Sequence, residues 1–199
     1  SVAALRRDAR ADLVTANFSL NTVSVRLGNG DATFQNELSF AVGTQPNAAA
    51  VGYIKGDNNQ RDLPVHDHAF PSVLVGNGNG AFQAQRVFAV GSNPFSVAVG
   101  DVNGDDFEDV VATSFNNTVS LLLSNGDGTL QTQTVFTVGA TPFAVIVADL
   151  NGDGRGDIVS ANSAGTVSVL LGNGDGTFQA EQRFTVDLSP NGIVAIDLN

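Results

Sequence analysis

"PFSVAVGDVNGDDFEDVVATS" (Pro94–Ser114) returns 48 residues later as "PFAVIVADLNGDGRGDIVSAN" (Pro142–Asn162). Each copy reads as an apolar, β-branched run, an acidic glycine-rich loop and a second apolar run. The same step of 48 separates Pro46, Pro94, Pro142 and Pro190, then Phe40, Phe88, Phe136 and Phe184, then Phe34, Phe82, Leu130 and Phe178. A fixed period of this size decides the architecture before any local pattern does. Four units follow, approximately 1–47, 48–95, 96–143 and 144–191, with 192–199 starting a further inner strand. The N-terminal "SVAALRRDARADLVTAN" aligns without gaps on "IVADLNGDGRGDIVSAN", and the C-terminal "GIVAIDLN" aligns on "VIVADLN".

Within the third unit four strands are expected at "FSVAVGD", "DVVATS", "TVSLLLS" and "TQTVFTVG", all β-branched and partly alternating. "NGDGT" separates the third from the fourth, and Asn-Gly and Asp-Gly tolerate the positive φ of a tight hairpin. No segment shows a helical period. Four short antiparallel strands per unit of about 48 residues predict an all-β chain, with each unit one blade of a β-propeller or propeller segment. A Phe or Pro that recurs in every blade is expected to serve packing within or between blades.

The 199 residues suit one domain with a real core, and 42% hydrophobic against 15% charged residues describes a folded chain. A net charge of −11 with a single lysine, Lys55, leaves no basic surface for nucleic acid. The acidic balance favours bound cations, and two divalent ions would bring −11 to −7. There is no cysteine for a disulfide or thiolate site, and no apolar run long enough to span a bilayer. The Lys-poor, Ser/Thr/Asn/Gly-rich composition points to a secreted or cell-surface protein. The chain begins at Ser1 without a leader pattern and is expected to be a mature or excised piece of something longer.

The acidic loops carry the first functional expectation. Asp101, Asn103, Asp105 and Asp109 take positions 1, 3, 5 and 9, with Phe107 at position 7. A hard cation such as Ca²⁺ takes six to eight oxygens at roughly 2.3–2.6 Å, and alternate residues of a curled loop can all point inward. Position 7 then supplies a backbone carbonyl, so its side chain is free to vary between Phe107 and Arg155. The fourth unit assigns the same roles to Asp149, Asn151, Asp153, the Arg155 carbonyl and Asp157. An EF-hand would close with Glu at position 12 between helices; here the last acid is at position 9 and both flanks are strands. A plain Asx-rich turn is the competing reading. Two Ca²⁺ sites are expected, and none in the first two units. Unit one has Ala4 and Arg6 at the first two positions with Asp8 and Asp12 kept, so Arg6 is expected to supply the positive charge internally. Unit two reads Tyr53, Lys55, Asp57 and, after a slip, Asp62. Asp197 and Asn199 look like the first half of another loop.

Through "VFAVGSNPFSVAVGDVNGDDFEDVV", "NTVSLLLSNGDGTL" and their equivalents the whole chain resembles the FG-GAP or VCBS repeats of integrin-like β-propellers. The resemblance implies that Ca²⁺ is structural, tying the loop between the first two strands of a blade. It implies adhesion receptors, lectins or accessory domains of polysaccharide-degrading enzymes as functional classes, and so a protein or a glycan as partner. Such propellers usually have about seven or eight blades. Four units therefore imply a fragment, a half-ring that pairs with another copy through propeller closure, or a compact four-bladed form. The absence of Trp, which many sugar-binding propellers stack on pyranose faces, weighs against a lectin.

Unit two holds the only tyrosine (Tyr53), the only lysine and both histidines. His66 and His68 in "VHDH" would share one side of a strand, and Tyr53, Lys55, His66 and His68 are a candidate ligand or carbohydrate site, with neutral drift as the alternative. "RGD" at Arg155–Asp157 falls inside a loop whose acid is already assigned. "NFS" at Asn17 and "NNT" at Asn116 are glycosylation sequons. Nothing resembles a catalytic constellation outside the Tyr/Lys/His cluster, so a non-enzymatic binding or adhesion scaffold is expected.

Overall fold

The computed structural model describes the chain except residues 1, 7, 57–59, 69, 70, 92 and 197–199. Among the described residues there is no helix, and sixteen strands form four antiparallel sheets, each in chain order. The first sheet is β1 (Val2–Ala3), β2 (Asp12–Asn17), β3 (Thr22–Arg26) and β4 (Leu38–Ala41). The second is β5 (Ala48–Ala49), β6 (Leu63–His66), β7 (Ser72–Leu74) and β8 (Arg86–Val87). β9 (Pro94–Gly100), β10 (Asp109–Ser114), β11 (Thr118–Leu122) and β12 (Thr134–Thr137) make the third. β13 (Pro142–Ala148), β14 (Asp157–Asn162), β15 (Thr166–Leu170) and β16 (Gln182–Thr185) make the fourth. The four strands anticipated in unit three match β9 to β12 to within a few residues.

In the third and fourth repeats burial is deepest in the second strand. β10 and β14 are buried along their whole length, while the outermost β16 is exposed throughout. Pro94 and Pro142 open the inner strands next to register shifts against β10 and β14. Proline has no N–H for the ladder, so a strand start beside a bulge is where a sheet accepts it.

Three apolar clusters lie between the four sheets. The first joins Val14, Val23 and Val25 to Leu63, Val65 and Leu74; the second joins Ile54 and Val73 to Val97, Val110 and Leu122; the third joins Val111, Val119 and Leu121 to Val145, Ile158 and Leu170. Each core thus belongs to a boundary between successive sheets. The recurring phenylalanines seal these boundaries. Phe40 meets Phe82 edge-to-face with ring centroids 5.3 Å apart, and Phe136 meets Phe178 at 5.1 Å, a geometry that adds attraction beyond area burial. At the middle boundary Phe88 and Leu130 pack on the shared cluster. The hairpins follow the same rule: a Cβ on Gly80, which has φ +86, would lie 2.6 Å from a Leu27 methyl of the preceding sheet.

The four sheets form an open arc and do not close into a ring. The further inner strand expected from 192 is not formed over 192–196. Residues 197–199, with Asp197 and Asn199, lie outside the described residues.

Candidate functional site

The loop from β9 to β10 is anchored at its end by Asp109. This side chain has no solvent exposure. Its Oδ2 accepts from the Val102 N–H at 3.0 Å and its Oδ1 from the Ser124 N–H at 2.8 Å. One carboxylate thereby ties the loop to the start of the hairpin that follows the third strand. Asp157 repeats this with Leu150 and Gly172, Asp62 with Lys55 and Gly76, and Asp12 with Leu5 and Gly28, at 2.6–2.9 Å. All four aspartates are fully buried. The staple therefore operates in every blade, including the two whose loops have lost the other acids. The spacing in the sequence points only to a metal ligand at position 9; the aspartate kept in units one and two, Asp12 and Asp62, is the signal for this second role.

The exposed part of the two loops is built alike. Asp101 accepts the Gly104 and Asp106 N–H groups at 2.7 and 3.0 Å, and Asp149 accepts those of Gly152 and Gly154, both at 2.8 Å. The Asn103 amide donates to Asp105 at 2.9 Å while its oxygen accepts from the Asp105 N–H; Asn151 and Asp153 do the same. Asp105 and Asp153 accept the N–H of Phe107 and Arg155. The Gly154 N–H, with help from Gly152 and Asp153, holds the Asp149 carboxyl below its usual value. Asp109 behaves oppositely: burial pushes it up to about 6, opposed by its two N–H donors and reinforced by the charges of Asp105 and Asp101.

The donor set is entirely oxygen, which suits a hard divalent cation. In the described geometry these carboxylates face loop N–H groups, and among the described residues no three acidic or histidine side chains converge as a ready cage. Unit one shows what the same frame does with a built-in cation. The Arg6 guanidinium, at the position of Asn103, donates to Asp12 at 3.3 Å and to the Gly28 carbonyl at 2.9 Å and lies 3.0 Å from Asp8. The internal charge expected of Arg6 is thus in place.

Unit two separates its singular residues. Tyr53 and Lys55 line a cleft of about 230 Å³ with Gly56, Asp106 and Phe107, at the boundary between the second and third sheets. Arg61 stacks on the Tyr53 ring, 4.5 Å from its centroid, and Glu108 accepts the Tyr53 N–H at 2.7 Å. His66 and His68 do not join them. Gly52 bridges to Asp62 while Ala48 pairs with His66, so His66 lies at the other end of the strand pair, buried, and His68 is exposed beyond the end of β6. The shared strand face read for the two histidines fails because β6 stops at His66. Asp57 lies outside the described residues. The "RGD" acid, Asp157, is buried in its staple. Asn116 is exposed and Asn17 half-buried, bonded to Thr22 and Ser24.

A model of the FG-GAP-like repeat matches residues 101–160 and 149–199, the two units with intact loops. The chain is an FG-GAP repeat β-propeller protein. A comparison with curated proteins gives no match. Among solved structures, an Agrocybe aegerita lectin described as recognising non-reducing terminal N-acetylglucosamine aligns with a TM-score of 0.63 and 24% identity, over 91% of this chain and 50% of the lectin. BBS1N, solved in complex with ARL6DN, aligns at 0.65 and 17% identity, over 96% of this chain and 54% of BBS1N. NanB sialidase from Streptococcus pneumoniae aligns at 0.57 and 10% identity, over 84% and 29%. The FG-GAP chain spans about half the length of the first two, and at these identities the likeness shows the fold alone.

Proposed function

We propose that this FG-GAP chain is a calcium-braced binding scaffold that works outside the cell. The observation that carries the reading is the contrast between Arg6 and its equivalents. Where the acidic frame contains an arginine, the guanidinium lies between Asp8 and Asp12; the third and fourth loops have an asparagine there and add Asp101 and Asp149. Asp101, Asn103, Asp105, Asp109 and the Phe107 carbonyl would hold one ion, and Asp149, Asn151, Asp153, Asp157 and the Arg155 carbonyl the other. A bound ion would offset most of the charge of its three carboxylates and fix the first two strands of its blade relative to each other. Extracellular modules bind Ca²⁺ with dissociation constants of about 10⁻⁴–10⁻³ M, which suits a compartment rich in calcium.

At about 1 mM Ca²⁺ such sites stabilise the fold by about 0.4–1.4 kcal/mol each, a rise in Tm of a few degrees for a chain of this size. Thermal melts of the calcium-free protein with Ca²⁺ or Mg²⁺ added back should show a rise with Ca²⁺, lost in the Asp105→Ala, Asp153→Ala double variant. A Tm that ignores Ca²⁺, or a rise that survives in the variant, would reduce both loops to acidic turns.

For the partner, the cleft at Tyr53 supports a glycan. Two aromatic rings, a cation and a carboxylate converge there from Tyr53, Phe107, Lys55 and Asp106, and aromatic faces with a few polar groups suit a sugar ring. Glycan-array binding that falls at least about tenfold with Tyr53→Ala or Phe107→Ala would support this reading. An empty array beside capture of a folded protein ligand would favour adhesion to protein instead.

A further inference from the structure

We infer that the Tyr53 cleft takes a sugar that carries a carboxylate, with Arg61 as the partner of that carboxylate. The inference rests on the glycan reading of this cleft and adds the charge of the ligand. The chain as a whole, at −11, repels anions. Even so, three of its nine cationic side chains meet at this one boundary between sheets. Lys55 lines the cleft, and Arg61 lies over the Tyr53 ring. Arg86 reaches the same rim: a Cβ on Gly128 would lie 3.4 Å from its Nη1 and 3.8 Å from the Lys55 Cβ.

Of the three, Arg61 is the one prepared for a carboxylate. Contact with a ring face holds a guanidinium without using its N–H groups. Among the described residues no acceptor takes the N–H groups of the Arg61 side chain, and their fork matches the two oxygens of a carboxylate. The acids nearby compete little. Glu108 accepts the Tyr53 N–H, and Asp127 accepts the N–H and hydroxyl of Thr129. Asp106 lines the cleft, and an ionised carboxylate there can only accept, as from sugar hydroxyls. A ligand with an acid group and hydroxyls satisfies both Arg61 and Asp106.

The walls are fixed beforehand, which lowers the ordering cost of binding. Glu108 also donates its N–H to the Tyr53 carbonyl at 3.0 Å, so the two residues clamp each other across the boundary. The Phe107 ring fills the space between Gly56 and Gly126, where a Cβ on either glycine would run into it. The last loop has Arg155 and Gly156 where the third has Phe107 and Glu108, and so offers neither the ring nor the clamp.

An array of acidic glycans, uronate-bearing and sialylated, each beside its carboxyl-reduced counterpart, tests this in the presence of Ca²⁺. Solution titrations of the best pair can follow tyrosine emission, which comes from Tyr53 alone in a chain without tryptophan. The acidic member should bind at least about tenfold tighter than the reduced one, and its family tells a uronate from a sialate. Arg61→Gln should lower the affinity for the acid to that for the reduced sugar and leave the latter unchanged. Arg61→Lys keeps the charge without the fork and should fall between. Equal binding of the two members overturns the inference and leaves the glycan reading standing. An acid preference that survives Arg61→Gln overturns it too, because the carboxylate then has another partner, such as an ion in the third loop. Binding of neither member on any pair removes the glycan reading and the inference together.

Discussion

Asp62→Ala is expected to destabilise the fold by about 2–6 kcal/mol, because it removes the carboxylate acceptor of two loop N–H groups at about 1–3 kcal/mol each. The carboxylate is fully buried and bonded to the Lys55 N–H at 2.6 Å and the Gly76 N–H at 2.9 Å. The Gly76 bond is buried and the Lys55 bond partly so. At about 2–4 °C per kcal/mol for a chain of this size, the melting temperature should fall by about 10 °C. Asp62→Asn should lie between, since its amide keeps one acceptor but turns an NH₂ group towards the other N–H. Unit two lacks the acids at positions 1 and 3, so the loss should be the same with and without Ca²⁺. Asp157→Ala should add the loss of the calcium response to a comparable structural cost. Urea unfolding of the three variants in both conditions distinguishes the roles. An Asp62→Ala cost below about 1 kcal/mol would mean that the staple is not what fixes the loop.

The period of 48 made the strands and the phenylalanine boundaries legible, because a residue that recurs in every unit does what every unit requires. β9 to β12 could be drawn from unit three alone, and the hairpin at "NGDGT" from its turn chemistry: Asp127 accepts both the N–H and the hydroxyl of Thr129. What repeats less cleanly was harder to read. The staple was hidden by an overlapping pattern, since Asp109 and Asp157 also complete the candidate ligand spacing. The Tyr53 cleft needs Phe107 and Asp106 from the next unit, and nothing in unit two announces a partner about 50 residues away. His66 and His68 look paired at a spacing of two only if the strand continues, and it ends at His66.

His66→Phe should make the protein more stable in acid relative to the native chain, by about 3 kcal/mol between pH 6.5 and pH 4. The imidazole is fully buried with neither ring nitrogen bonded. Burial, helped by the charge of His68, pushes it down to about 4 from 6.5. The sign follows from which state takes the proton. Between pH 6.5 and 4 the unfolded histidine is protonated and the folded one is not, so acid draws the chain towards unfolding. The neighbouring Asp67 acts the other way. Its Oδ2 accepts from the Gly43 N–H and the Ser72 hydroxyl, its Oδ1 is buried without a partner, and burial pushes the carboxyl up to about 6. Below pH 6 the folded Asp67 takes a proton that the unfolded one accepts only near 3.8, so acid favours folding through this group. The two adjacent residues therefore offset each other, and their joint contribution should stay nearly flat over this window. Phe at 66 removes the acid-destabilising half and leaves the other, while Asp67→Asn should expose the histidine's loss. The raised Asp109 titrates alike in native and variant and drops out of the difference. Urea unfolding of the calcium-free proteins at steps from pH 7 to pH 4 measures it. A native-to-variant difference that does not change with pH would show that His66 reaches water or a partner as the chain is acidified.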